Sequence, residues 1–297
     1  MAKDPLTHVI CLPDGRRLAY TEFGNKNGPV IFHFHGLPGS RLEARLLADG
    51  INQVGIRLIA VDRPGTGMSD FLPNRRISQW PADIVALADS LGLDKFAVEG
   101  FSGGGPYALA CVLFIPERIT ACGLISSVGP PDMDGDQSKG YVPGTTMRQT
   151  LKLSASFAWS GFAKKCLDIR SATSFVEREL THIFPGGPDA ALGRQHAVQT
   201  IFAANFHEAF RQGSEGVVHE NILLNLPWGF SLSKITSKVP VYLWHGELDA
   251  NVPIGVGRAL ARKISHSHST IYPQEGHISV PINHASEILQ VLGVGRR

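Results

Sequence analysis

The stretch Gly100-Phe101-Ser102-Gly103-Gly104 decides the fold, because it lies between a short apolar run, Lys95–Glu99, and a small-residue stretch that begins near Gly103. A Gly-x-Ser-x-Gly turn between a strand and a helix holds its serine in a tight, strained conformation with the hydroxyl above the sheet. Glycines on both sides permit a close approach of strand and helix. The alternative is a serine that caps a helix. The apolar run before the turn and the small-residue helix after it favour a nucleophile at Ser102.

Strand-like runs alternate with helical patterns on both sides of this turn. The chain opens with two strand-like runs around a Pro-Asp-Gly turn, which predicts a β-hairpin. Alternation of strands and helices implies crossover connections, so we expect an α/β fold with a mostly parallel eight-stranded sheet and helices on both faces. The expected strands are Thr7–Leu12, Arg17–Glu22, Pro29–His35, Ile56–Val61, Lys95–Glu99, Ile119–Val128, Val239–Trp244 and Thr270–Tyr272. The expected helices are Arg41–Val54, one ending near Leu91, one from Gly103, Ile254–Ile264 and Pro281–Leu292.

The alternation stops between the sixth and seventh expected strands. A Gly/Pro-rich and polar linker, residues 129–140, precedes about a hundred residues that have helical periodicity and no convincing strand. We therefore expect an α/β core of residues 1–130 and 238–297 and a helical cap insertion of residues 131–237 over the carboxyl ends of the strands. The insertion is rich in aromatic residues, which would suit an apolar acyl pocket. At helical spacing, Phe202, Phe206 and Phe210 are better explained as the insertion's own core.

Composition favours a small-molecule partner. The 297 residues suffice for one large α/β domain with an insertion. With 28 basic and 26 acidic residues, the formal net charge of +2 is too small to favour nucleic acid or an anionic membrane. The first residues lack the apolar stretch of a secretory signal, and no apolar run is long enough to span a bilayer, so we expect a cytoplasmic protein. A homodimer stays open. Scattered cysteines without CxxC spacing predict neither a metal site nor a disulfide framework; they are Cys11, Cys111, Cys122 and Cys166.

A serine nucleophile requires a histidine base and a carboxylate that orients it. His277 follows Gln-Glu-Gly just beyond the last expected strand, which places it at the same sheet edge as Ser102. Asp249 lies in the loop after the preceding strand, so the order Ser, Asp, His matches this type of hydrolase. Alone, each could be an exposed loop histidine or a capping aspartate. The other histidines considered are His33 and His35 before the glycine loop, His182, His196, His207 and His219 in the insertion, and His266 and His268, which we assign to a polar turn.

Four further motifs accompany the serine turn, and the set runs from about residue 30 to the C-terminus. They are His35-Gly36-Leu37-Pro38-Gly39, Asp62-Arg63-Pro64-Gly65-Thr66-Gly67-Met68-Ser69-Asp70, His245-Gly246 with Asp249, and Gly276-His277. The chain thereby resembles the α/β-hydrolase fold superfamily, in the branch of single-domain serine hydrolases with a helical cap. The resemblance implies an oxyanion hole made by the backbone N–H groups of Gly103 and Leu37, although Leu37 could be a packed loop residue. It also implies two-step acyl transfer with no cofactor. Some relatives keep their acid after the sixth strand, where this chain has Asp132.

The nucleophile and the residues next to it exclude or disfavour some classes of reaction. Haloalkane dehalogenases and related epoxide hydrolases carry an aspartate where Ser102 stands, so their alkyl-ester chemistry is excluded. Proline iminopeptidases usually have glycine before the nucleophile and tryptophan after it, and Phe101 and Gly103 depart from that pattern. We therefore expect a carboxylesterase for small to medium apolar esters. Two alternatives stay open: a carbon-carbon or amide hydrolase on the same triad, and a slow-turnover ligand-sensing hydrolase that binds a partner protein.

Overall fold

A single twisted sheet organises the computed structural model, which describes residues 7–131, 133, 156, 158–168, 172–184, 186–236 and 239–294. Its eight strands follow the order β1-β2-β4-β3-β5-β6-β7-β8. The strands β3 to β8 pair in parallel, and β2 is antiparallel to both β1 and β4. The mostly parallel eight-stranded sheet is thus confirmed. The strands are β1 Thr7–Cys11, β2 Arg17–Gly24, β3 Val30–Phe34, β4 Arg57–Val61, β5 Phe96–Phe101, β6 Ile119–Ile125, β7 Val241–Gly246 and β8 Ser267–Tyr272.

The first two strands form the predicted hairpin. Cys11 pairs with Arg17 at the turn end of the ladder. Gly15 has a φ of +87°, a left-handed conformation that glycine adopts without a steric penalty. The turn chemistry of Pro-Asp-Gly therefore sets the register locally.

Helices cover both faces of the sheet, as predicted. Successive side chains of a strand point to opposite faces, and β4 shows this directly: Ile59 and Val61 join one buried apolar cluster while Leu58 and Ala60 join the other. Every residue of β5 is buried. The helices of the core are α1 Ala48–Val54, α2 Trp80–Ser90, α3 Gly105–Phe114, α9 Ile254–Lys263, α10 Ser279–Asn283 and α11 Ala285–Val294.

Two expected helices were wrong in extent. The helix expected from Arg41 begins with a 3-10 segment, Arg41–Leu47, before α1. The helix expected over Pro281–Leu292 is split into α10 and α11 at His284, whose backbone leaves helical geometry. The side chain of His284 instead contacts Glu275 at 3.1 Å and stacks on Tyr272 with ring centroids 3.7 Å apart. These tertiary contacts override local helix preference.

The polar turn assigned to His266 and His268 was wrong for His268. His268 lies in β8, where it pairs with Tyr242 of β7 and stacks on its ring. β8 is an edge strand with largely exposed side chains, so its polar composition does not prevent it from pairing. The polar side chains of this segment do not predict a strand, and the strand is defined instead by its backbone pairing with β7.

The chain between β6 and β7 is helical where it is described. We call α4 to α8 the inserted helices: α4 158–167, α5 Ala172–Ile183, α6 Gly187–Gly193, α7 His196–Ala209 and α8 Glu215–Leu224. Between residues 131 and 237, the positions that the structure describes include no strand. Phe202, Phe206 and Phe210 are buried. The ring of Phe162 meets that of Phe206 edge to face and that of Phe210 at a tilt, with centroids 5.6 Å apart in both pairs. The prediction that this aromatic row packs as the insertion's core is confirmed.

Buried polar contacts attach the inserted helices to the core. On α7, Asn205 accepts the backbone N–H of Ser40 at 2.8 Å, and Glu208 pairs with Arg41 at 2.7 Å. On α8, Glu220 contacts Arg63 at 2.9 Å. The charged groups of these ion pairs are almost fully buried. Replacing one partner with a neutral residue would therefore leave the other charge buried and unpaired, which would lower the stability of the protein.

Candidate active site

Ser102 occupies the strained turn that its motif predicts. It directly follows β5 with a φ of +51°, a left-handed conformation that is uncommon for a residue with a side chain. A short 3-10 segment, Ser102–Gly104, then leads into α3. A Cβ atom on Gly104 would lie 2.0 Å from the carbonyl oxygen of Phe34, so β3 and the turn can approach this closely only with glycine there. The expected strand, turn and helix around Ser102 are confirmed.

His277 and Asp249 are brought together by two loops at the carboxyl edge of the sheet. His277 lies between β8 and α10, and Asp249 lies after β7. The Nδ1 atom of His277 is 2.8 Å from Oδ2 of Asp249, and both side chains are buried. The other carboxylate oxygen accepts the backbone N–H groups of Asn251 and Val252 at 2.9 and 2.8 Å. Because a carboxylate can only accept, this contact assigns the proton to Nδ1 and leaves Nε2 of His277 free to accept one.

A second histidine supports Asp249. The Nε2 atom of His245 lies 2.8 Å from the carbonyl oxygen of Val252 and 3.4 Å from Oδ2 of Asp249. Burial lowers the pKa of His245, so this ring is neutral at pH 7 and its Nε2 carries the hydrogen that the carbonyl accepts. The His-Gly motif flagged this residue in the sequence, but its contact with the aspartate is visible only in the fold.

One cavity of about 560 Å³ joins the remaining candidate residues. Ser102, His277, Leu37 and Gly103 all line it. A Cβ atom on Gly103 would lie 3.5 Å from the backbone nitrogen of Leu37, which shows that the two predicted oxyanion donors are neighbours. The alternative acid, Asp132, lies outside the described residues.

The loop that carries Leu37 is held by charged side chains. Arg63 donates to the carbonyl oxygens of His35 and Gly36, the latter at 2.9 Å. Glu43 accepts the backbone N–H of Gly36 at 2.7 Å. These contacts fix the peptide groups immediately before Leu37. These roles of Arg63 and Glu43 were not predicted from the sequence, although Arg63 lies inside one of its motifs.

Beneath this loop, His33 lies between two carboxylates. Its Nδ1 is 2.6 Å from Glu99 and its Nε2 is 3.6 Å from Glu43. Burial alone would lower the pKa of His33, but the charge of Glu99 and the contact with Glu43 outweigh it and raise the pKa to about 9. A protonated His33 therefore compensates the negative charge of Glu43, which also lines the large cavity.

Most of the residues that line the cavity are apolar, and they come from both the core and the inserted helices. Phe202 and Phe206 line it from α7, so the aromatic row serves both the helical core and the cavity. The Cδ1 atom of Leu224 on α8 would lie 2.9 Å from a Cβ atom on Gly103, which places this side chain beside the candidate oxyanion donors. Other apolar lining residues include Val128, Met133, Ile183, Phe184, Val252, Val256 and Ile278, and the polar ones include Asn221, Asn225 and Asn251.

In the described part of the chain, no cluster of three or more His, Cys, Asp or Glu side chains is suited to hold a metal ion. None of the helices located there has the length and apolar character needed to cross a bilayer. Cys111 and Cys122 are buried, and burial raises the pKa of both thiols, so they behave as small apolar side chains.

Comparison with known proteins agrees with this architecture. The sequence model of the alpha/beta hydrolase fold family matches residues 29–283. The chain therefore belongs to the α/β-hydrolase fold family, as its motifs predicted. Over 285 residues it is 25% identical to the bifunctional esterase/perhydrolase of Acinetobacter calcoaceticus, covering 94% of this chain and 95% of that protein.

Solved structures of similar fold match nearly the whole chain. A hydrolase from Pseudomonas aeruginosa superposes with a TM-score of 0.71 at 18% identity, covering 99% of this chain and 100% of that one. An esterase from Exiguobacterium antarcticum does so with a TM-score of 0.71 at 19% identity, covering 97% and 98%. At this identity the likeness defines the fold alone.

Proposed function

We propose that this hydrolase is a carboxylesterase that cleaves small to medium apolar esters through an acyl-enzyme on Ser102. The observation that carries the proposal is the His277–Asp249 pair, because its histidine lines the same cavity as the strained Ser102. The similarity over nearly the full length to an esterase/perhydrolase supports ester chemistry.

In this proposal, Nε2 of His277 takes the proton of the Ser102 hydroxyl while Oγ attacks the ester carbonyl carbon. Asp249 holds the Nδ1–H tautomer and stabilises the imidazolium ion. The negative oxygen of the tetrahedral intermediate accepts the backbone N–H groups of Leu37 and Gly103, and losing one such donor typically costs about 2.7–4 kcal/mol. The intermediate collapses as His277 returns the proton to the leaving alcohol. His277 then activates a water molecule, which releases the acid and restores Ser102.

The substrate class follows from the cavity. A volume of about 560 Å³ accommodates a small or medium ester, and aromatic and aliphatic walls favour an apolar acyl chain. We further propose that residues 131–237 act as a cap, since α7 and α8 supply Phe202, Phe206 and Leu224 to the wall.

The test compares the protein with Ser102→Ala on p-nitrophenyl acetate, butyrate and octanoate at neutral pH. Ser90→Ala is the matched control, because Ser90 is an exposed serine whose hydroxyl donates to the carbonyl oxygen of Leu87 in its own helix. We expect rapid turnover by the protein and the control, and a loss of at least about 10³-fold in Ser102→Ala. A preference for charged or long polar acyl groups would contradict the proposed substrate class.

Labelling with a fluorophosphonate tests whether Ser102 is the nucleophile, independently of which substrate the protein cleaves. If Ser102 is labelled but no ester is turned over, the ester assignment is wrong, and dienone diketones and aminoacyl amides become the substrates to assay. If neither labelling nor turnover occurs, the assignment of Ser102 as nucleophile is wrong.

A further inference from the structure

Asp189 belongs to the inserted helix α6, yet its carboxylate binds the loop that carries His277. Its Oδ2 atom accepts the backbone N–H of His277. Its Oδ1 atom accepts the N–H groups of Ile278 and Ser279 at 3.0 and 2.9 Å. The residue is only 3% exposed, so these three bonds form in a poorly solvated space. One carboxylate thus holds three consecutive peptide groups that are 88 to 90 positions away in the chain.

The three N–H groups need a partner from outside their own segment. They lie at the start of the short helix α10, where backbone donors have no carbonyl of their own helix to bind. In the same loop, Gly276 donates its N–H to Oγ of Ser279 at 2.7 Å. Bonds from N–H groups to a charged acceptor are roughly twice as strong as neutral ones. Asp189 therefore supplies the acceptors for three consecutive backbone N–H groups of this loop.

Both backbone groups of His277, the N–H and the carbonyl, are therefore hydrogen-bonded to side chains. Asp189 binds its N–H, and the hydroxyl of Ser126, just after β6, donates to its carbonyl oxygen at 3.2 Å. A Cβ atom on Gly276 would lie 2.3 Å from Oδ2 of Asp189, so the loop packs directly on the carboxylate. The imidazole extends from this clamped peptide toward Asp249. Its position depends on α6 as well as on the core.

We propose that Asp189 is a positioning residue for the catalytic base, so that the inserted helix α6 completes the catalytic loop. The inference rests on the proposed function in one respect, namely that His277 is the base. It goes beyond that function because it makes catalysis depend on the packing of α6 against the loop of His277. Withdrawal of α6 would break three charge-assisted bonds and release the loop, and a displacement of about 1 Å at a catalytic group can cost about 100-fold in rate.

The test uses Asp189→Asn, which keeps the size of the side chain but replaces one acceptor oxygen with an amide donor that faces a backbone N–H. Glu208→Gln is the matched control, because Glu208 is also a buried carboxylate on an inserted helix but binds Arg41 rather than the His277 loop. We expect Asp189→Asn to lower kcat about 10- to 100-fold with little change in KM. Glu208→Gln should keep kcat even if it unfolds at a lower temperature.

Hydrogen–deuterium exchange supplies a readout that does not require turnover. In Asp189→Asn the amides of His277, Ile278 and Ser279 should exchange at least about 10-fold faster, and in Glu208→Gln they should not. If exchange is unchanged, Asp189 does not hold the loop and the inference is wrong. If exchange accelerates but kcat does not fall, Asp189 is structural and the positioning role is wrong.

Failure of the proposed function is distinguishable from failure of this inference. If the unmodified protein hydrolyses no ester, the rate at which a fluorophosphonate labels Ser102 replaces kcat as the activity readout, and the same fall is expected in Asp189→Asn. An unchanged labelling rate, or a protein that is not labelled at all, would then overturn the role of Asp189. Should Asp189→Asn fail to fold, Asp189→Ser, which is smaller and also neutral, serves in the same comparison.

Discussion

Replacing Glu220 with glutamine should destabilise the protein severely. Glu220 on α8 is fully buried and contacts the guanidinium groups of Arg63 and Arg75. Burial alone would raise its pKa, but the two arginines outweigh burial and lower it, so the carboxylate is charged. Tyr107, which accepts a hydrogen bond from Arg75 at 2.9 Å, stays protonated because burial raises its pKa. Glu220→Gln would leave two buried guanidinium groups without this anion.

The magnitude follows from the burial of the cluster. Removing one partner of a buried ion pair costs about 3–5 kcal/mol, whereas an exposed pair contributes about 0.2–1 kcal/mol. Asp70→Asn is the matched control, because Asp70 pairs with Arg17 at 2.7 Å while the Arg17 side chain is 61% exposed. At roughly 2 °C per kcal/mol for a chain of this size, Glu220→Gln should lower Tm by roughly 6–10 °C and Asp70→Asn by no more than about 2 °C.

The assay is urea unfolding followed by tryptophan fluorescence, with the thermal midpoint as a second measurement. The difference in unfolding free energy between the two variants should be at least about 2 kcal/mol. If Glu220→Gln loses no more stability than Asp70→Asn, the two arginines do not depend on this carboxylate. The cluster would then not be what fastens α8 to the core.

Two further predictions concern Asp249 and His33. Asp249→Asn should lower turnover of p-nitrophenyl butyrate by about 10⁴, because an amide group facing Nδ1 of His277 favours the wrong tautomer; nearly normal turnover would redirect attention to Asp132. The pKa of His33 rises from 6.5 to about 9 on folding, so its contribution to stability is complete below pH 6.5 and is lost as the pH rises through 9. The difference in urea-unfolding free energy between the protein and His33→Gln should shrink by about 3 kcal/mol between pH 6.5 and 10, and a constant difference would contradict a charged His33.

Much of the fold could be predicted because its signals are local. The Pro-Asp-Gly turn and the alternation of apolar runs specify the hairpin and the succession of strands and helices within windows of a few residues. Ser102 stands out because its neighbours must be glycine for a strand and a helix to meet so closely. The order of Ser102, Asp249 and His277 placed all three at one sheet edge, since parallel strands end on the same side.

The extents of elements were less predictable, because tertiary contacts decide them. His284 divides the last helix by binding Glu275 and stacking on Tyr272, neither of which is apparent from helix propensity. His268 lies in a strand because β7 offers it a backbone partner, whereas its own neighbours are polar.

What the sequence by itself determined about this protein is the α/β-hydrolase architecture and the three candidate catalytic positions, because glycine turns, periodicity and strand order act over short range. Only the tertiary structure decided how those positions are supported. Glu220 is 145 residues from Arg75, and Asp189 is 88 residues from His277. The residues around a carboxylate in the sequence do not indicate so distant a partner. Folding buries the carboxylate away from water, so that its negative charge must be balanced by the positive or hydrogen-bond-donating groups that the fold places beside it.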